Sequence, residues 1–341
     1  MMTKDALHKP KKPSMEDVAK IAGVSRATVS YVINDVPNSN IPAETRARIW
    51  NAVNELGYRP NAIAKGLRGN RSNVLGFITD DLSDTPYIVD IIKGAQDVAL
   101  AHNKMILLMD SEKKLKIEEV IFRMMVEWQV EGIIYASTLH REITTAPYFF
   151  FTPTILVDCF TREQNLPTIV PNEVQGGYVA TQALLNKGHR WIGFINGPQS
   201  LPASVGRLEG YKKALSEFNI PFDESLVCYG NWWQESGYDY TLKLIEQNKN
   251  ITAIFCGNDW MAMGAYDALK KLGLSVPKDI AIVGFDNREA IAAHMHPALT
   301  TVALPYYEMG KQAMEYLLAD QNQRYPIHVA LDCPLIERDS V

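Results

Sequence analysis

Acids, an amide, an arginine and a tryptophan recur just past short apolar runs in this chain. Asp80 follows 74–79, Asp158 follows 154–157, Arg207 comes after 191–195, Trp232 follows 226–229, Asn258 follows 253–256 and Asp286 follows 280–284. Carboxylates and amides can bond to vicinal hydroxyls, and a guanidinium offers a fixed fork of donors. An indole face can cover apolar ring carbons. Together these groups suit a polyol. Carboxylate pairs can also cut glycosides, but binding explains the same acids without a reaction. A second set lies near the N-terminus: Arg26, Ala27 and Tyr31, interleaved with Ser25, Thr28 and Ser30. Arginine reads guanine with two bonds, and alanine meets the thymine methyl. A tyrosine ring and hydroxyl could do either, while short hydroxyls suit phosphate oxygens, which set register rather than sequence preference.

Each residue also has a structural alternative. Asp80 or Asp81 could cap the next helix, and Asp286 could close an Asx-turn. Arg207 near a helix start opposes the helix dipole, so a structural ion pair could explain it. Trp232 and Trp233 cannot both face one pocket on an extended segment, so one of them should be packing.

The elements that must position these groups change character along the chain. Ser14 can cap a helix, with Asp17 completing a weaker capping box, and Gly23 ends that helix. A second helix spans 26–34 and a third runs from about 43 to 56, stopped by Gly57. Three short helices with a tight turn at 23–25 make a helix-turn-helix, whose second helix enters the major groove. From 74 onward, short apolar strands (74–79, 105–109, 132–135, 154–157, 191–195, 253–256, 280–284) alternate with helices (88–102, 117–128, 175–187, 204–218, 236–247, 260–272, 306–318). That alternation means parallel sheets, and seven units imply two α/β lobes. Strand tips facing each other across two lobes form a cleft, where such folds bind ligands.

Charge follows the same division. Residues 1–71 hold twelve Lys/Arg against six Asp/Glu, whereas 72–341 hold 22 against 33. A basic head on an acidic body points to nucleic acid, although the whole chain carries a net charge of -5. We therefore expect a flexible basic arm (1–13), a helix-turn-helix domain (14–60) and a hinge with linker (61–71). A first lobe (72–170 plus 300–325) and a second (171–299 plus 326–341) follow.

The run from Ser14 to Asn34 resembles the signature of the lactose/galactose repressor (LacI/GalR) family. The likeness continues through Glu44-Thr45-Arg46, 56–61 and 64–68. It implies a bacterial homodimer on a palindromic operator, with a type I periplasmic-binding-like body and a small-molecule effector in its cleft. It places Ser25, Arg26, Ala27, Thr28, Ser30, Tyr31, Asn34, Tyr58, Asn61, Ala64, Lys65, Leu67 and Arg68 at the DNA. Tyr31 stands where arginine is frequent. By the same resemblance 61–69 is a hinge helix that folds on DNA, with Leu67 as a minor-groove wedge and Lys65 and Arg68 beside phosphates. Asp80 enters the effector set from its strand tip, and the likeness adds or marks Tyr87, Asp158, Arg207, Trp232, Asn258 and Asp286. The family answers to sugars, to purines and to protein corepressors. Trp232 with Asp158 leans towards a sugar, either a single ring or a short glycoside.

Other classes find little footing. No phosphate-binding GxxxxGK[ST] loop, GxGxxG or G-x-S-x-G elbow is present, so we expect no enzyme. The four cysteines are scattered without a CxxC pair and the histidines lack a third ligand, so neither a metal site nor a cofactor is expected. No apolar run reaches the length of about 18 residues that a membrane span needs, and no export signal is seen. A cytoplasmic, nucleoid-associated regulator with no membrane partner follows. The C-terminal residues carry no heptads to suggest a tetramer.

Overall fold

A computed structural model describes residues 12–37, 39–59, 72–82, 87–320 and 327–341. The chain divides into two compact units, Met1–Asn73 and Val74–Val341. In the first, α1 (Met15–Ala22), α2 (Arg26–Ile33) and α3 (Ala43–Leu56) form the expected helix-turn-helix domain. Ser14 Oγ accepts from the Asp17 amide at 3.3 Å while Asp17 accepts from the Ser14 amide at 2.9 Å, a complete capping box. Gly23 and Gly57 end α1 and α3 with φ of 65° and 61°, a backbone that a side chain would strain. Val18, Val29, Val32, Ile49 and Val53 close a small core. The expected hinge falls at 61–71, so Asn61, Ala64, Lys65, Leu67 and Arg68 lie outside the described residues, as do 1–11 of the arm.

The second unit is built on two six-stranded sheets. Its first sheet runs β11-β5-β4-β3-β1-β2, from β1 (Val74–Thr79), β2 (Met105–Asp110), β3 (Ile133–Glu142), β4 (Thr154–Phe160), β5 (Thr168–Pro171) and β11 (His328–Leu331). The second runs β12-β10-β9-β8-β6-β7, from β6 (Ile192–Asn196), β7 (Val227–Tyr229), β8 (Ala253–Cys256), β9 (Ala281–Asp286), β10 (Thr300–Ala303) and β12 (Leu335–Ile336). All paired strands are parallel except β12 on β10. Central strands such as β1 and β4 are mostly apolar and buried at all but one end residue because helices cover both faces, with Asp158 the charged exception in β4.

The helices are α4 (Tyr87–Ala101), α5 (Leu115–Glu127), α6 (Glu173–Asn186), α7 (Pro202–Glu217), α8 (Gln234–Gln247), α9 (Asp259–Leu272), α10 (Glu289–Ala292) and α11 (Tyr306–Leu318). Three of the packed pairs meet backbone to backbone, α8 with α9 at Gly237 and Gly264 among them. A Cβ on Gly177 of α6 would overlap the Arg207 backbone of α7, and one on Gly210 would overlap Val174. Gly94 of α4 and Gly310 of α11 face Tyr307 and Ile91 in the same way.

The lobe boundaries need correction at the C-terminal crossings. β10 bonds to β9 in the second sheet, so the chain returns to the first lobe after Ala303 rather than at Thr300. α11 then packs in the first lobe's core with Ile88 and Ile91. β11 extends the first sheet beside β5, so the last crossing comes after Leu331 and not near 326. Both are four-residue strands, β11 at an edge and β10 between β9 and β12, and an apolar pattern does not name their pairing partners.

Candidate functional site

Both lobes of the second unit contribute to one cavity of about 280 Å³. The first lobe supplies Asp158 near the end of β4, Thr138 and His140 from β3, Tyr87 at the start of α4 and Tyr306 at the start of α11. The second supplies Glu173 at the start of α6, Arg207 in the second turn of α7, Trp232 after β7, Asn258 capping α9 and Asp286 ending β9.

Arg207 is the centre of the arrangement. Its side chain is 4% exposed. Nε donates to Glu173 Oε2 at 2.7 Å, Nη1 donates to the Gly257 carbonyl, and Asp286 Oδ1 lies 3.9 Å from Nη1. The guanidinium stacks 3.6 Å over the Phe285 ring and 5.2 Å from that of Trp232. Burial works against its charge, but Glu173 and Asp286 outweigh that and keep it protonated. The structural ion pair therefore exists, and it sits in the cavity wall.

The acids around it differ in state. Burial pushes the Glu173 carboxyl up, yet Arg207 and His140 hold it below the usual range. His140 Nδ1 stands 3.6 Å from Glu173 Oε1, linking the lobes. Burial raises Asp286 to about 6 against the pull of Arg207 and a 2.6 Å bond from the Tyr87 hydroxyl. Asp158 is raised as well, by burial and then by the charge of Glu173. Three buried polar atoms of residues lining the cavity, His140 Nδ1, Asp158 Oδ1 and Trp232 Nε1, have no hydrogen-bond partner. Such groups are costly unless something bonds to them.

Backbone geometry aims three of these groups. Asp158, Trp232 and Asp286 adopt φ of 56°, 72° and 103°, values that favour glycine. At Trp232 this conformation breaks the extended run assumed from sequence. Trp232 turns inward over Gly197 while Trp233 reaches the rim of the same cavity, so both tryptophans line it. Asn258 Nδ2 donates to the Trp232 carbonyl at 3.0 Å, and its Oδ1 caps α9.

Asp80 does not reach this wall. Its carboxylate accepts from Ser137 Oγ, the Thr138 amide and Arg141 Nη2 at 2.8–2.9 Å, fixing the β3 segment behind the cleft. Reading the strand tip alone gave no sign that β3 bends back to satisfy it. Glu173, His140, Trp260 and Arg288 line the cavity without having been singled out. Glu173 precedes the expected start of its helix at 175 and follows no expected strand, so strand-tip reasoning passed over it. Among the described residues, no cluster of three or more His, Cys, Asp or Glu could hold a metal.

In the helical unit, α2 leaves Arg26, Ala27 and Tyr31 exposed, with Tyr31 at 50%. Ser25 Oγ accepts from the Thr28 amide at 3.1 Å, so its first task is to cap the helix. Asn34 closes α2 and donates to the Ser30 carbonyl at 2.8 Å. Tyr58 needs correction as a DNA contact: it is 7% exposed and packs in the core. Its place just after Gly57 turns its ring back under α3.

Residues 14–61 match the family model for bacterial regulatory proteins of the lacI family, and 181–341 match that for a periplasmic binding protein-like domain. The chain is 35% identical to the HTH-type transcriptional regulator RegA of Clostridium saccharobutylicum, over 96% of this chain and 98% of that protein. It is also 35% identical to the HTH-type transcriptional repressor PurR of Edwardsiella ictaluri, over 89% of each. Its fold superposes on the lac repressor dimer bound to operator and the anti-inducer ONPF with a TM-score of 0.80 at 26% identity. That match covers 97% of this chain and 99% of that one.

Proposed function

The chain belongs to the LacI family of bacterial regulatory proteins, and from that premise we propose a dimer that binds a palindromic operator and is controlled by a sugar in the inter-lobe cleft. It is a sequence-specific DNA-binding transcriptional regulator with a small-molecule-responsive domain, not an enzyme. Dimerisation is supported by the dimeric lac repressor on its operator and by the small interface that one helix-turn-helix makes. The proposed readers are Arg26, Ala27 and Tyr31 on α2. The segment 61–71, with Leu67, is the proposed coupling element.

One observation carries the ligand reading. Arg207 and its acids are buried beside the unpartnered polar atoms Asp158 Oδ1 and Trp232 Nε1, next to an indole face. A ring carrying hydroxyls can bond to all of these at once, donating to carboxylates and accepting from Arg207 and the indole. A second reading, a purine or other planar heterocycle, is favoured by the several repressors named PurR among the relatives, and these weigh more towards it than towards a sugar. Tyr87, Trp232 and Tyr306 also give it rings to stack on.

A thermal-shift panel of sugars and nucleobases on the full chain separates the two. A ligand that binds only the folded state raises the melting temperature. We expect sugar hits that also change operator affinity in a gel shift. Nucleobase hits alone would overturn the ligand class and keep the cleft. A panel without hits would overturn the cleft assignment.

A further inference from the structure

The chain bends sharply at the end of β9. Asp286 and its neighbour Asn287 have φ of 103° and 50°, on the left-handed side that side chains disfavour. Two such residues in a row persist only where the surroundings hold them. The bend serves the cavity: Asp286 accepts from the Tyr87 hydroxyl at 2.6 Å, and the Arg288 guanidinium lies 4.6 Å over the Tyr87 ring and 5.4 Å over that of Trp260. Asn287, between them, does not line the cavity.

Asn287 is gripped from behind the wall. Its amide donates to Thr301 Oγ1 at 3.4 Å, and Thr301 Oγ1 donates to the buried Asp259 at 2.6 Å, which also accepts from the Arg288 amide at 2.6 Å. Its side chain meets Arg338. Nη2 of that arginine donates to Asn287 Oδ1 at 2.8 Å, and Nη1 donates to the Leu299 carbonyl at 2.9 Å. The Arg338 side chain is 14% exposed, so both bonds lie largely out of water. A further bond to Glu289 at 3.2 Å ends on a carboxylate that is 73% exposed, and it adds little. The segment that carries Arg338 is itself sewn to the sheet. The Arg338 amide donates to Thr300 Oγ1 at 2.9 Å, while Ser340 Oγ accepts from the Thr300 amide at 2.8 Å and donates to the Ile282 carbonyl at 2.6 Å. Arg338 therefore reaches the bend from a fixed base on β9 and β10.

Resting on the placement of Asp286 and Arg288 in the effector site, we propose that Arg338 is a positioning residue for that site. Through Asn287 it holds the bend that turns Asp286 and Arg288 into the cleft, so a side chain outside the cavity sets the affinity for the effector.

Calorimetry on the full chain tests this with glucose, lactose, cellobiose, hypoxanthine and guanine as probes. We expect Arg338→Ala to weaken the probe that binds by about tenfold, the scale on which supporting residues act on a binding group. Arg338→Lys, which keeps one donor, should lose less. If Arg338→Ala does not fold, Arg338→Met, which fills the space without a donor, takes its place in each comparison. Asn287→Gly removes the acceptor and adopts a left-handed φ freely, so Arg338→Ala should cost less in that background. A pH profile separates positioning from stability. Asp286, faced by Arg207, Tyr87, Glu173 and Arg288, is raised to about 6 by burial. With Arg338→Ala the bend relaxes, water reaches Asp286 and its carboxyl falls towards the ordinary range. The melting-temperature difference made by Asp286→Asn should then no longer change between about pH 4 and 6.5. The positioning role falls and the effector reading stands if Asp286→Asn weakens the probe but Arg338→Ala does not. The same holds if the pH profile survives Arg338→Ala, or if the Arg338→Ala loss is as large in Asn287→Gly. If a probe binds the parent chain and Asp286→Asn alike, or none binds, both fall.

Discussion

At the scale of single residues, the cleft is a buried guanidinium shared among carboxylates. Removing one partner of such a pair strands the other, a cost of about 3–5 kcal/mol. Glu173→Ala should therefore lower the stability of the body by that order, whereas Glu173→Gln, which can still accept from Arg207 Nε, should cost less. Chemical denaturation of the two variants checks the ranking. Asp286 makes a pH-dependent prediction. Its carboxyl titrates near 6 in the folded chain, pushed up by burial, and near 4 when unfolded. Between those values the folded state binds the proton more tightly, so this group costs stability as pH rises from about 4 to 6. The cost is complete above 6. Melting temperatures should thus move in favour of Asp286→Asn, relative to the parent chain, between pH 4 and 6.5. A constant difference across that range would contradict the raised value. Of these residues, Asp158, Arg207 and Asp286 could be placed at the cavity from strand tips, and Trp232 was chosen over Trp233 by the family resemblance. Glu173 could not be so placed, because its importance comes from α7 lying against α6, which no local pattern records.

At the scale of elements, that contact is set by glycines. Gly177 and Gly210 let α6 and α7 touch through their backbones, and Glu173 and Arg207 lie on these same two helices. Gly177→Ala should push the helices apart, with destabilisation of more than about 1 kcal/mol from overpacking and a weakened ligand response. Calorimetric ligand titration beside thermal melts would show both losses, and an unchanged ligand affinity would break the link between helix spacing and the site. In the helical unit the recognition helix carries its own prediction. Arg26→Ala should relax discrimination at one operator position by about 1–3 kcal/mol in a gel-shift series of single-base variants. Equal losses on operator and random DNA would remove it from base reading. The long helices and central strands could be read from periodicity, several to the residue. β5, β10, β11 and β12 could not, and their place in the two lobes is decided by hydrogen-bond partners far along the chain.

At the scale of the whole molecule, the residues proposed for ligand and for DNA belong to different compact units. Arg207→Lys in the full chain should keep operator affinity within about twofold in a gel shift and lose the response to any effector. Loss of operator binding in parallel with ligand binding would mean that the variant unfolds the body instead of uncoupling it. The two-unit plan was legible from the basic head and the acidic, strand-rich body. The interleaving of the lobes was only partly so.

That interleaving has a bearing on how the protein is made. When a ribosome has polymerised 299 residues, the helical unit has been fully synthesised, yet neither lobe is whole: the first lacks α11 and β11, the second lacks β10 and β12. Both sheets close only as the last few dozen residues emerge, so their unpaired edges stay open to wrong partners through most of synthesis. A message cut short between the first unit and residue 300 would yield a nascent product that holds the whole helical unit but neither completed sheet of the body.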